Sequence, residues 1–228
     1  MESSFGVLNL LAGGDFVIRA VAVFLALMSL ASWVVILGKA WDVARMRRQA
    51  ATAAGFWSAP SFESGLAALA DDADNAFRDL AVSAQDAAAH HQSKQALLQN
   101  SLNISDWITR VLKDSVEDAQ SRMQSNLAIL ASVGATAPFV GLLGTVWGIY
   151  HALLGISAAG AATIDKVAGP VGEALVMTAL GLAVAIPAVL GYNALTRANK
   201  ALSAKLNRFA HDLHAYFVTG GTLKSRGN

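Results

Sequence analysis

The stretch VGEALVMTALGLAVAIPAVLGY, from Val171 to Tyr192, is apolar almost throughout and long enough to cross a lipid bilayer. A transmembrane helix needs about 20 predominantly apolar residues. Near its start the stretch carries one carboxylate, Glu173. A charged side chain toward the centre of a membrane costs from about 3 to more than 10 kcal/mol, so it is kept out unless it has a role. The stretch therefore predicts a membrane-spanning helix with Glu173 as the first candidate for function.

The composition of the whole chain is typical of a membrane protein. Hydrophobic residues make up 54% of the 228 residues, which exceeds the roughly 45–50% of ordinary soluble domains. The formal net charge is only +1, so the chain lacks the strong basic field expected of a nucleic-acid-binding protein. Cysteine is absent, which excludes disulfides, thiolate nucleophiles and cysteine metal sites.

Two further apolar stretches predict two more spans and allow the chain to be oriented. Of the 17 Lys and Arg residues, all except Arg19 and Lys166 lie either between spans one and two or after span three, and the positive-inside rule places those segments in the cytoplasm. We therefore expect an outer amino-terminal segment at 1–15, transmembrane helix 1 at 16–37, a cytoplasmic helical insertion at 38–122, transmembrane helix 2 with a cytoplasmic extension at 123–156, an outer loop at 157–167, transmembrane helix 3 at 168–192, and a cytoplasmic carboxyl-terminal helix and tail at 193–228. The segment 1–15 fits either a short helix on the membrane surface or a disordered tail.

The cytoplasmic part reads as helical, which makes the expected fold class all-α. Apolar residues at helical spacing run from Leu97 through Met123 without Pro or Gly, and the pattern predicts one continuous helix into span two. The tail also has a helical pattern, with apolar residues spaced by four, three, four and three: Leu202, Leu206, Phe209, Leu213 and Tyr216. A monomer of three spans encloses little polar space, so we expect a homo-oligomer.

Glu173 has two interpretations. It is either a protonatable group facing a polar path, or an anion near a helix start after Gly169 and Pro170, where the helix dipole favours negative charge. The hydroxyls of Thr136, Thr145 and Thr178 are candidates for lining such a path, although a threonine bonded to its own helix backbone is the commoner case.

Other chemistry finds little support in the sequence. Nucleophile-elbow, phosphate-binding and dinucleotide-binding motifs are missing, so we expect no enzymatic activity and no cofactor. Two pairs, His90 with His91 and His211 with His214, lack the companions of a metal site, and solvated helix faces are the simpler interpretation. His151, near the outer end of span two, is a candidate pH-sensitive group.

The segments APFVGLLGTVWGIYHAL at 137–153 and TIDKVAGPVGEALVMTALGLAVAIPAVLGYN at 163–193 resemble the signature of the MotA/TolQ/ExbB proton-channel family, and within it the ExbB branch. The resemblance implies a bacterial inner-membrane protein with a periplasmic amino terminus and a cytoplasmic carboxyl terminus. It further implies a pentamer around an ExbD dimer that works with TonB to drive outer-membrane uptake of iron-siderophores, haem or cobalamin. The proton-pathway residues that it implies are Glu173, Thr145 and Thr178.

Two alternatives stay open at this point. A TolQ-type motor subunit, which serves cell-envelope integrity, shares the same signature, although TIDKVAGP before the glutamate and NRFAHDLHAYFVTG in the tail favour the ExbB branch. A non-conducting scaffold, with Glu173 as a helix-start anion, is the alternative from another functional class. A secondary transporter is disfavoured, because three spans show no inverted repeat.

Overall fold

The computed structural model describes residues 16–69, 74–94, 104–159 and 164–220, and every element in these ranges is helical. The α-helices are α1 (Phe16–Ala53), α2 (Phe62–Ala68), α3 (Ala76–Lys94), α4 (Ile104–Gln124), α5 (Leu127–Ala159) and α6 (Ile164–Thr219), with a 3₁₀ turn at Phe56–Ser58. Among the described residues, three helices are long and apolar enough to cross a membrane. The expected all-α membrane fold with three spanning helices is confirmed.

The described residues form two compact units. The first unit takes 16–38 from α1 and the described parts of 126–194 from α5 and α6, and the second takes the described parts of 39–125 and 195–220. The outer amino-terminal segment expected at 1–15 and part of the outer loop lie outside the described residues.

The first unit is a three-helix arrangement that is apolar on its packed and on its outward faces. Its core is small and aliphatic: Val21, Leu25, Met28, Val133, Ala137, Met177, Ala185 and Ala188. Large side chains such as Leu37, Phe139 and Leu190 are more than 60% exposed. A helix that is hydrophobic on all sides is typical of a membrane span, where lipid or another subunit covers the outer face.

The second unit has a larger core rich in aromatic residues. Phe209 of α6 lies at its centre, with ring centroids 5.4 Å from Phe56 and 5.5 Å from Phe77 in edge-to-face geometry, the arrangement that aromatic quadrupoles favour. Of the apolar residues that the tail pattern predicted, Leu202, Leu206, Phe209 and Leu213 are buried, and Tyr216 is partly buried. Burial of this periodic face is what holds the tail helix in the unit.

The prediction of one continuous helix into span two was wrong. Helix α4 ends at Gln124 and α5 begins at Leu127, and Asn126 between them has a left-handed φ of 66°, a conformation that Asn tolerates better than most residues. The carbonyls left free at the end of α4 are taken by side chains: Lys39 Nζ donates to Arg122 O at 2.8 Å, and Asn199 Nδ2 donates to Met123 O at 2.7 Å. These contacts satisfy groups that a helix end otherwise leaves unpaired.

Candidate functional site

Helices α5 and α6 approach each other so closely in the first unit that their backbones touch. A Cβ added to Gly141 would lie 2.6 Å from Met177 O and 3.1 Å from Gly181 Cα. A Cβ added to Gly181 would lie 2.6 Å from Ala137 O. Small residues permit this approach in membranes, where packing and interhelical hydrogen bonds replace the hydrophobic effect as the driving force. Gly141 and Gly181 are therefore packing residues, and they set the distance at which polar side chains meet.

The close approach brings two of the predicted site residues together. Thr145 of α5 is 6% exposed, and its hydroxyl forms a hydrogen bond with the hydroxyl of Thr178 on α6. The Thr145 oxygen also lies 3.0 Å from Ala174 O on α6 and 3.2 Å from Gly141 O on its own helix. Since 33 residues separate the two threonines in the sequence, spacing alone did not predict this contact.

The proton positions in this cluster follow from counting donors. Each threonine hydroxyl has one proton to donate and two lone pairs. If Thr178 donates to Thr145 and Thr145 donates to the Ala174 or Gly141 carbonyl, both protons are used. If Thr145 instead donated its proton to Thr178, the Thr178 proton would have no acceptor among the described residues. Within the described residues, the assignment that uses both protons runs from the partly exposed Thr178 to the buried Thr145.

On α6, Glu173 and Thr178 lie on opposite sides of buried Met177. At about 100° per residue, Glu173 is about 40° to one side of buried Met177 and Thr178 is about 100° to the other. The Glu173 side chain is partly buried, and within the described residues its carboxylate forms no hydrogen bond or ion pair. The structure therefore does not bring Glu173 into contact with the threonine pair of its own chain.

The start of α6 bears on the helix-dipole interpretation of Glu173. Helix α6 begins at Ile164, nine residues before Glu173, and at 1.5 Å rise per residue this is about 13 Å along the axis. The dipole effect falls off within the first turn. Stabilisation by a helix start is therefore a poor explanation for the carboxylate.

The remaining predicted polar residues lie apart from the cluster. The Thr136 hydroxyl donates to Ser132 O of its own helix at 2.7 Å, the self-bonded arrangement named as the commoner alternative. His151 is exposed, its Nδ1 is 3.2 Å from Trp147 O, and its ring lies 4.7 Å from that of Trp147.

The histidine pairs form no metal site within the described structure. His214 Nε2 lies 3.1 Å from Ser105 Oγ, whereas the side chains of His90 and His211 are exposed. No group of three or more metal-ligating side chains occurs in 16–69, 74–94, 104–159 and 164–220.

Two polar groups of the first unit escaped the sequence analysis. Ser32 in span one is 2% exposed and donates to Met28 O at 2.9 Å, and the Ala174 carbonyl accepts from the opposite helix. Neither has a sequence signal, because a serine in an apolar run is common and a backbone carbonyl has no residue type.

Comparison with known proteins adds to this geometry. Residues 64–208 match the model of the MotA/TolQ/ExbB proton channel family. The chain is similar to the biopolymer transport protein ExbB of Xanthomonas campestris pv. campestris (44% identity, over 92% of this chain and 86% of the relative) and to that of Neisseria meningitidis (38%, over 88% and 92%). It is also similar to the Tol-Pal system protein TolQ of Haemophilus influenzae (29%, over 92% of each).

Proposed function

The chain belongs to the MotA/TolQ/ExbB proton channel family, and from that premise we propose that it is the ring-forming subunit of an ExbB-type motor. In this proposal a homopentamer in the bacterial inner membrane encloses a dimer of ExbD and works with TonB. The amino terminus faces the periplasm and the carboxyl terminus the cytoplasm. Proton flow then drives outer-membrane uptake of iron-siderophores, haem or cobalamin, and the chain performs no covalent chemistry.

The observation that carries the proposal is the presence of polar side chains, above all Glu173, in the otherwise apolar second and third spans. Glu173 is the one acidic residue of 168–192, and its carboxylate has no partner among the described residues. An intramembrane carboxylate without a protein partner is expensive, so it is retained for proton exchange. Each proton that crosses releases about 2.3 kcal/mol per 100 mV of membrane potential.

The two threonines have different roles in this proposal. Thr178 is the member that reaches the surface of the helix pair, so its hydroxyl is available along the proton path. Thr145 is enclosed and acts as a positioning residue, since it holds Thr178 and the Ala174 carbonyl. Glu173 and Thr178 lie on different flanks of α6, and a ring of subunits can present a wide face of each α6 helix to one central shaft. The remaining acceptor for the proton is an acidic group on the partner helix in that shaft.

The test is a growth assay under iron limitation in a strain that lacks its own ExbB-type gene, with an iron-siderophore as iron source. Glu173→Gln keeps the shape of the side chain and removes its proton exchange, so growth is expected to fail while membrane levels stay normal. The matched control is Glu117→Gln, because Glu117 is an exposed glutamate of α4 paired with Lys113 at 3.7 Å. Full growth with Glu173→Gln would refute the proton role.

A second candidate function, the TolQ-type motor, rests on the similarity to TolQ proteins. It is distinguished by supplying the chain to a strain that lacks its TolQ-type subunit and measuring resistance to detergent. A non-conducting scaffold is distinguished by proton flux into vesicles that contain the assembled complex. Flux that disappears with Glu173→Gln excludes the scaffold, and absence of flux in the wild-type complex favours it.

A further inference from the structure

A half-open cavity of about 130 Å³ lies in the second unit, among the residues of α1 that follow its apolar run and parts of α4 and α6. Its polar lining is mixed: Lys39, Arg45 and Arg122 are cationic, Asp42 and Asp74 are anionic, and Gln49 and Asn199 are amides. Three cations against two carboxylates leave the lining positive. The cavity is separate from the proposed proton pathway, because all the residues that line the cavity belong to the second unit.

Lys39 is the buried charge of this cavity. The residue is 9% exposed, and its ammonium donates to Arg122 O at 2.8 Å and to Ser125 Oγ at 2.9 Å. The third N–H has only the Asp42 carboxylate at 3.7 Å, beyond hydrogen-bonding distance. A buried ammonium is costly unless it is paired and hydrogen-bonded. Lys39 therefore has one donor left for a ligand.

The two guanidinium groups are also only partly engaged. Arg45 Nη2 lies 3.3 Å from Asp74 Oδ2 and 4.0 Å from Asp42, and Arg122 Nη2 lies 3.7 Å from Asp79. Each guanidinium has five N–H donors in a planar fork, so these few, long contacts leave most donors of both part-exposed side chains open to solvent or to a ligand. Such forks match the oxygens of phosphate in a bidentate manner.

We propose that this cavity binds a phosphate group through Lys39, Arg45 and Arg122. Lys39 follows Leu37, the last residue of the apolar run, by only two positions, which places it at headgroup depth on the expected cytoplasmic side. Basic pockets at that depth bind anionic headgroups. The volume is far below the roughly 300–1,000 Å³ of pockets that enclose whole small molecules, so the cavity accommodates the phosphate and leaves any acyl chains outside. The phosphate belongs either to a phospholipid or to a soluble phosphate.

The test measures ligand-dependent thermal stability of the full-length protein in detergent, after removal of bound lipid. The probes are dioctanoyl phosphatidylglycerol and inorganic phosphate, each titrated separately. The cavity variant combines Arg45→Gln with Arg122→Gln, which leaves the Arg122 carbonyl in place. The matched control combines Arg47→Gln with Arg110→Gln, two exposed arginines of the same helices that do not line the cavity. Both variants lose the same formal charge.

The expected result is that the ligand concentration for half-maximal stabilisation rises at least about tenfold in the cavity variant, since charge-assisted hydrogen bonds are lost, and stays unchanged in the control. A response to the lipid alone identifies a headgroup as the ligand, and an equal response to inorganic phosphate identifies the phosphate itself. Equal responses of the cavity variant and the wild type, or equal losses in both variants, overturn the proposal.

A second variant keeps the test decisive if the double variant does not fold. Asp74→Asn removes a carboxylate from the lining and frees Arg45, and the Asp74 side chain is 61% exposed, so the change is tolerated by the fold. Binding of whichever probe stabilises the wild type is expected to tighten several-fold. Unchanged or weaker binding in Asp74→Asn contradicts a site governed by these cations.

Discussion

Gly141→Ala is the sharpest perturbation of the helix pair that carries the threonine cluster. The added Cβ would lie 2.6 Å from Met177 O, whereas ordinary contact begins near 3.4 Å, and its other near neighbours are Gly181 Cα at 3.1 Å and Thr178 Cα at 3.2 Å. All three atoms are backbone, so no side chain can rotate away. The helices must therefore separate locally by up to about 0.8 Å, which is the difference between 2.6 Å and 3.4 Å.

The energetic consequence combines two opposing effects. Overpacking of this kind costs about 1–3 kcal/mol, while replacing a helical glycine by alanine gains up to about 1 kcal/mol in helix propensity. Gly155→Ala isolates the second effect, because no heavy atom would lie within 4 Å of its Cβ and it occupies the same helix, α5. We expect Gly141→Ala to be less stable than Gly155→Ala by about 1–3 kcal/mol.

The assay is reversible unfolding in mixed micelles with increasing dodecyl sulfate, followed by circular dichroism. The same separation lengthens the bond between Thr145 and Thr178, so iron-limited growth is expected to fall with Gly141→Ala and to stay normal with Gly155→Ala. Equal unfolding free energies for the two variants would show that the helices do not approach as closely as the structure places them, and the reasoning would fail.

Three further outcomes are expected. In a double-mutant cycle of Thr145→Val and Thr178→Val, the unfolding free energies measured in mixed micelles should show a coupling of about 0.5–1.5 kcal/mol, and additive effects would mean that the hydroxyls do not meet. Phe209→Ala should destabilise the chain by about 3–5 kcal/mol in thermal unfolding, because Phe209 is 5% exposed in the aromatic core, whereas Arg208→Ala on the exposed side should stay near wild type. At Asn126, with its φ of 66°, Gly should be more stable than Ala by about 1 kcal/mol, and the reverse order in the same measurement would argue against a left-handed turn there.

Several features of this chain were decided by local sequence. The spans follow from long apolar runs, since every 20 or so apolar residues in a row predict a membrane helix regardless of what they contact. The buried face of the tail follows from the spacing of Leu202, Leu206, Phe209 and Leu213, because helical periodicity alone determines which side chains share a face. Glu173 was identifiable as a candidate because a charge in an apolar run is anomalous in any tertiary context.

Other features depended on contacts between residues that are distant in the chain. Thr145 and Thr178 meet only because Gly141 and Gly181 let two helices touch, and a periodic pattern contains no information on which faces of two helices pack together. The turn at Asn126 is stabilised when Lys39 and Asn199 take the free carbonyls of α4, and neither partner is a neighbour in sequence. Local sequence patterns therefore specify which segments are helical and which face of the tail helix is buried. Which polar groups pair depends on the packing of the helices, because a hydrogen bond requires an approach of about 3 Å that only packing can set.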